Sequence, residues 1–297
     1  MTPRALDLHR DALLARALPD GSFVLAPGGQ ARPEATAWAA VALHTLGTAP
    51  EAVAAARTAL ARLQRPDGSV PLAPECPEAA WPTPLAILAW LPDPDFRGRA
   101  EAAAAWLLGH PGRHWTKTPD SPSDHDTSLK GWPWIEGTHS WVEPTAQVML
   151  SLAALGQAGA PELAEAGRML LDRQLPAGGW NYGNTRVFNH ELLPIPESTG
   201  LALTALTVLP ERPGKEVVAR SLASLAGPTN AVATPLAATW RAFGLTAWEA
   251  GPPGTLEPVA RALDRQTRYG PYDTPLLAQA LAALASGGRF ADLTRRA

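Results

Sequence analysis

At 297 residues the chain is long enough to bury a large core, as one large domain or two ordinary ones. Its 46% hydrophobic and 18% charged residues exclude a disordered chain, and no run reaches the roughly 18 uninterrupted apolar residues of a membrane span. The formal charge of −3 comes without a basic block, which sets nucleic acid aside as a partner, and the single cysteine, Cys76, excludes an internal disulfide and a cysteine-rich zinc site.

Along the chain, the opening "MTPRALDLHRDALLARALPD" carries charges among its apolar positions and predicts an amphipathic helix rather than a signal peptide, so the expected address is cytoplasmic. "PDGS" follows at 19–22 and recurs at 66–69, 47 residues later, which is a repeat period. Six threonines, Thr36, Thr83, Thr145, Thr199, Thr234 and Thr274, each open an Ala/Leu-rich run with helical spacing, as in "VEPTAQVMLSLAALG". Between them lie other amphipathic runs, such as Ala52 to Leu63 and Glu162 to Arg173. Each of these ends in a Gln-x3-Gly-x-aromatic or aliphatic element: Gln64, Gly68 and Val70; Gln174, Gly178 and Trp180; Gln266, Gly270 and Tyr272. A partial copy keeps Gly21 and Phe23, and Trp115 is read as closing a degraded fifth.

Six helix pairs predict an all-α fold, an (α/α)6 toroid over residues 1–297 as a single domain, because one pair cannot bury its own apolar face. The nearly all-apolar Thr-led helices form the inner layer. Two connections into that layer are long, from Trp115 to Thr145 and from Trp180 to Thr199, and long loops in compact domains carry function more often than not. They are expected to gather on one rim over the central cavity, bringing His125, His139 and His190 with them and His114 just before.

The Gln/Gly/Trp elements, clearest at Gln174, Gly178 and Trp180, resemble the QW repeats of the prenyltransferase and squalene-oxidase superfamily, which holds squalene–hopene-type terpene cyclases. The resemblance implies an α/α toroid with an apolar cavity for isoprenoid chains, and a structural role for Gln64, Gly68, Gln174, Gly178, Trp180, Gln266, Gly270 and Tyr272. Cyclases of this kind carry D-x-D-D, whose middle Asp gives its proton to an alkene or epoxide. "SDHDTS" offers Asp124 and Asp126, one acid short, with Asp126 as donor by position. The zinc set of the prenyltransferases is not matched, so neither a metal nor a cofactor is expected.

Glu34, Glu143 and Glu197 each stand two residues before a Thr anchor, which places three carboxylates on one rim. They read either as first-turn acids meeting the helix dipole or as acids lining the cavity; Ser140-x-x-Glu143 has capping-box spacing. Glu143 and Glu197 join Asp124, Asp126, His139 and His190 as candidate catalytic groups. Trp132, Trp134, Trp141, Asn181 and Tyr182 are candidate ligand contacts, because aromatic faces shield cations, stack on sugars and grip lipid tails. The expected partner is an apolar small molecule, an isoprenoid by resemblance; peripheral membrane contact stays open, as does any protein partner. Three functions compete: a terpene cyclase-like enzyme, a non-catalytic ligand-binding or scaffold protein of the same fold, and an (α/α)6 carbohydrate hydrolase or lyase working with two rim carboxylates.

Overall fold

A computed structural model of the chain describes residues 3–118, 124–227 and 234–295. The part of the Trp-rich insertion at 119–123 therefore lies outside the described residues. Helices follow one another as α1 (Pro3–Leu14), α2 (Pro33–Thr45), α3 (Pro50–Leu63), α4 (Thr83–Trp90), α5 (Arg97–Gly109), α6 (Val142–Ala154) and α7 (Pro161–Asp172). A short hairpin of β1 (Arg186–Val187) and β2 (His190–Glu191) leads into α8 (Pro196–Leu206), α9 (Lys215–Ala226), α10 (Pro235–Ala247), α11 (Glu257–Asp264), the single turn α12 (Gln266–Tyr269) and α13 (Thr274–Ala285).

The Thr-led helices α2, α4, α6, α8, α10 and α13 touch in that order, and α13 packs back on α2, so the inner ring closes. Each outer helix, α1, α3, α5, α7, α9 and α11, packs on the inner helix it pairs with. The composition explains the layering. Every residue of α4 is buried, whereas α7 buries only Leu163, Ala166, Gly167, Met169 and Leu170, the stripe that faces inward. Proline in the first turn of most inner helices costs nothing there, because those N–H groups have no partner within the helix.

One hydrogen bond repeats around the ring. The backbone N–H groups of Phe23, Val70 and Trp132 donate to the hydroxyls of Thr36, Thr83 and Thr145, each 13 residues downstream and each at 2.9 Å. Trp180 donates to Thr199 in the same way at 3.0 Å. The anchoring threonines thus tie each rim loop to the inner helix that follows it. Trp132, not Trp115, fills the third place: it is 3% exposed and its indole N–H donates to the Leu107 carbonyl, as Trp180 does to Leu170. Trp132 is therefore held structurally, nearly buried and with its only donor spent, whereas its sequence neighbourhood suggested a ligand contact.

The glutamines bind the next outer helix. Gln64 donates to Arg99 O in the first turn of α5, Gln174 to Val217 O and Ser221 Oγ on α9, and Gln266 lies 3.4 Å from His9 on α1, where the ring closes. Gly68, Gly178 and Gly270 all have positive φ, and a β-carbon on Gly178 would lie 2.5 Å from the Arg220 backbone, so only glycine lets the turn lie flat against α9. Tyr272 follows the same pattern: its N–H donates to Gln266 and its hydroxyl to Ala262 O. We expect Gln174→Leu to leave the Ser221 hydroxyl and the Val217 carbonyl short of a partner and to cost about 1–2 kcal/mol, read as a drop in thermal midpoint with the fold retained.

Candidate functional site

All six inner helices begin on the same rim, because each is reached from an outer helix. The positive ends of their dipoles converge there, at the mouth of the lumen. The lower lumen is filled by aromatic rings. Trp38 of α2 and Trp240 of α10 meet edge to face at 6.4 Å across the front of α13, and the C-terminal segment adds Phe290 against Trp240 and Phe243 at 5.8 and 5.4 Å. His44 Nε2 lies 2.8 Å from Arg295 O and holds that segment across the far end.

Above the rings stand the acids. Glu34 and Asp273 face each other at the α2/α13 junction, and Glu143 and Glu197 at the α6/α8 junction. Glu34 pairs with Arg32 at 3.1 Å through one oxygen, and its other oxygen is buried without a partner; burial pushes its carboxyl above the usual range. Glu143 has no such cation. Water reaches a small part of it, protein surrounds the rest, and its one hydrogen bond comes from Gln147 Nε2 at 3.2 Å. Burial, with the Glu197 charge adding to it, pushes Glu143 up to about 7. The capping box does not form, because Ser140 Oγ accepts from Gly131 N across the loop and α6 starts from Trp141 with no side-chain cap. That leaves the Glu143 carboxyl free for the lumen. Four more buried polar atoms without partners sit on the inner helices: Gln147 Oε1, Ser198 Oγ, Thr239 Oγ1 and Gln279 Oε1.

The two long loops meet at this mouth. Val142 N donates to Tyr182 O at 2.9 Å, and Gly183 is held so close to Trp141 that a β-carbon there would lie 3.2 Å from the indole. His139 packs on Trp141 with centroids 4.3 Å apart and the rings tilted by 40°; burial, then the Arg173 charge, lowers its pKa. His125 is pushed down to about 4 by burial and by the Arg173, His139 and Lys117 charges, so both imidazoles are neutral at neutral pH. Trp134 is drawn away from the mouth and packs edge to face on Trp81 at 5.3 Å. Asn181 spends its amide on the Leu193 carbonyl and its oxygen on Tyr182 N, which shapes the loop, while the Tyr182 side chain is largely exposed.

Asp126 sits elsewhere and in the opposite chemical state. Its carboxylate accepts from both Ser128 N and Ser128 Oγ in a local turn, and those bonds hold its pKa below the ordinary value. A carboxyl held ionised cannot be the protonated donor that the Asp-x-Asp spacing suggests, and the structure withdraws that assignment. Asp124 is exposed and pairs with Arg186 at 3.4 Å. His190 is exposed on β2. Among the described residues no three His, Cys, Asp or Glu side chains gather where a metal ion could be held.

No protein-family model and no curated protein matches the chain. Solved structures do. The type II terpene cyclase MstE from Scytonema, in complex with geranylgeranyl dihydroxybenzoate, is 17% identical over 98% of both chains with a TM-score of 0.63. The ent-copalyl diphosphate synthase from Streptomyces platensis is 22% identical with a TM-score of 0.51, and the present chain spans 46% of it. An inactive variant of the α-1,6-mannanase GH76A of Salegentibacter sp. HEL1_6, in complex with α-1,6-mannotriose, is 11% identical over 96% of this chain and 98% of that one, with a TM-score of 0.64. At such identities the likeness shows the fold alone: this chain has the α/α toroid fold that these cyclases and the mannanase share.

Proposed function

We propose that the lumen takes an isoprenoid or similarly apolar molecule through the rim and that Glu143 presents it with a proton. The observation that carries this reading is the Glu143 carboxyl at about 7, protonated in about half of the molecules at neutral pH without a cation beside it. Below it Trp38 and Trp240, nearly buried and packed edge to face, floor the lumen with indole rings, the surroundings a carbocation needs. The Glu143 O–H proton goes to one alkene carbon and the π pair forms the new C–H bond. The cation on the neighbouring carbon is then attacked by the next double bond. Loss of a proton from the last cation to a base, for which neutral His139 and Glu197 are the candidates at this rim, ends the sequence, so the net change is an isomerisation. The cyclase relative bound to geranylgeranyl dihydroxybenzoate supports the ligand class, and its like extent makes one toroid sufficient for such a protein.

A second reading has its own observation. The unpartnered Gln147, Ser198, Thr239 and Gln279 groups, together with two acids and the likeness to a mannanase, suit a sugar. Lipid extraction and native mass spectrometry of the purified protein separate the two: a bound isoprenoid, and turnover of a polyprenyl substrate that is lost in Glu143→Gln, supports the first. A bound oligosaccharide, or hydrolysis of a mannan, replaces it with the second. We expect Asp126→Asn to leave that turnover unchanged within about twofold, since its carboxylate serves only a local turn.

A further inference from the structure

A second recess lies behind the rim between α4, α5 and α6, outside the lumen and unused by the reading above. Its walls include Trp81, Trp106 and Trp134, with His110 beside them and Glu78 and Glu136 at the mouth. Trp81 and Trp134 stand at 81° to each other, and the Glu136 N–H donates to Glu78 O at 2.9 Å, which holds the two carboxylate-bearing loops together. His110 stacks on Trp106 at 4.6 Å and 13°, and its Nδ1 lies 2.7 Å from Trp106 O. A carbonyl only accepts, so Nδ1 carries the proton and Nε2 of the neutral ring is an acceptor. No lysine or arginine lines the slot.

The indoles, the imidazole acceptor and the two acids at the mouth, with no lining cation, favour a positive charge, while the rest of the wall, which includes Pro84, Leu107 and Val148, is apolar and suits a hydrocarbon stem. Size narrows the choice. The slot has room for about one or two water-sized groups, which an –NH3+ head matches and a trimethylammonium exceeds. We propose that this slot binds the primary ammonium of a small alkylamine, its N–H groups directed to the carboxylates and His110 and its first methylene against the indoles.

The test is a titration of the full chain with n-butylammonium chloride at matched ionic strength, followed by the indole 1H–15N signals and assigned with Trp81→Phe and Trp134→Phe. The expected result is a saturable shift of the Trp81 and Trp134 signals, with 1-butanol at least about tenfold weaker because it lacks the charge. Glu78→Gln with Glu136→Gln, both exposed and so neutral for folding, should weaken binding at least about fivefold. Equal binding of 1-butanol, tighter binding of tetramethylammonium, an unaffected double Gln variant, or no saturable shift at tens of millimolar amine would each overturn the assignment. None of these outcomes depends on what the lumen binds.

Discussion

Glu143→Gln should make the protein more stable and less active at once. The carboxyl has an ordinary value of 4.5 and stands at about 7 in the folded chain, mainly through burial and then through the Glu197 charge. A group whose folded value is raised favours folding while it stays protonated, so its contribution is complete below pH about 4.5 and lost as pH rises through about 7. The shift is worth on the order of 3 kcal/mol above pH 7, an upper bound because water still reaches part of the carboxyl. Glutamine keeps the shape and the Gln147 contact without the charge. At pH 8 the variant should therefore melt several degrees higher than the native chain, while the two coincide at pH 4. Proton transfer cannot occur from an amide, so turnover of any substrate the lumen accepts should fall by about 10²-fold or more. Glu197→Gln separates the two causes: it removes the neighbouring charge, moves the stability loss and the activity profile toward lower pH, and leaves the donor in place. A variant Glu143→Gln with native pH dependence of stability would show that the carboxyl is not held protonated by the fold.

How much of this was legible in the sequence differs from residue to residue. The ring and its layers were, because both rest on periodicity: thirteen residues from Phe23 to Thr36 and from Val70 to Thr83 became the same hydrogen bond twice. The third copy was misassigned because the insertion enters before the element rather than after it, so the interval to Thr145 runs from Trp132 and not from Trp115. Asp124-x-Asp126 drew attention as a motif, but a Ser two residues after an Asp is sufficient to build a local turn, and nothing in one sequence distinguishes that turn from a buried acid. Glu143 was visible as a rim acid. That it escapes capping depends on Ser140 being engaged by Gly131, nine residues back and across a loop, which no local spacing encodes. The slot proposed for an ammonium joins residues from Glu78 to Val148 through tertiary contact, and only the cluster of tryptophans hinted at it.

The largest loss of stability should come from Gly200→Ala, a change that helix propensity alone would favour. Replacing a mid-helix glycine with alanine gains about 1 kcal/mol where space allows. At Gly200 there is none: a β-carbon would overlap the Trp240 carbonyl, and Gly244 across the crossing sits so close that its own β-carbon would lie 2.8 Å from Gly200 Cα. Both obstacles are main chain, so no rotamer change relieves them, and α8 and α10 must move apart. Overpacking typically costs 1–3 kcal/mol, and main-chain obstacles on both sides put this site at the upper end, which leaves a net loss of about 2 kcal/mol after the propensity gain is subtracted. Gly98, in the first turn of α5, is the unhindered control, since its β-carbon would meet nothing within 4 Å; Gly98→Ala should be neutral or slightly stabilising. The same displacement reaches the mouth of the lumen. Glu197 lies one turn above Gly200 on α8, and moving that helix away from its packed position changes the distance over which Glu197 acts on Glu143. Gly200→Ala should consequently shift the pH dependence of stability as well as lower its maximum, an outcome read from melting curves between pH 4 and pH 8. A Gly200→Ala protein as stable as the native chain, with an unshifted profile, would mean that the α8–α10 crossing does not set the spacing of the two acids.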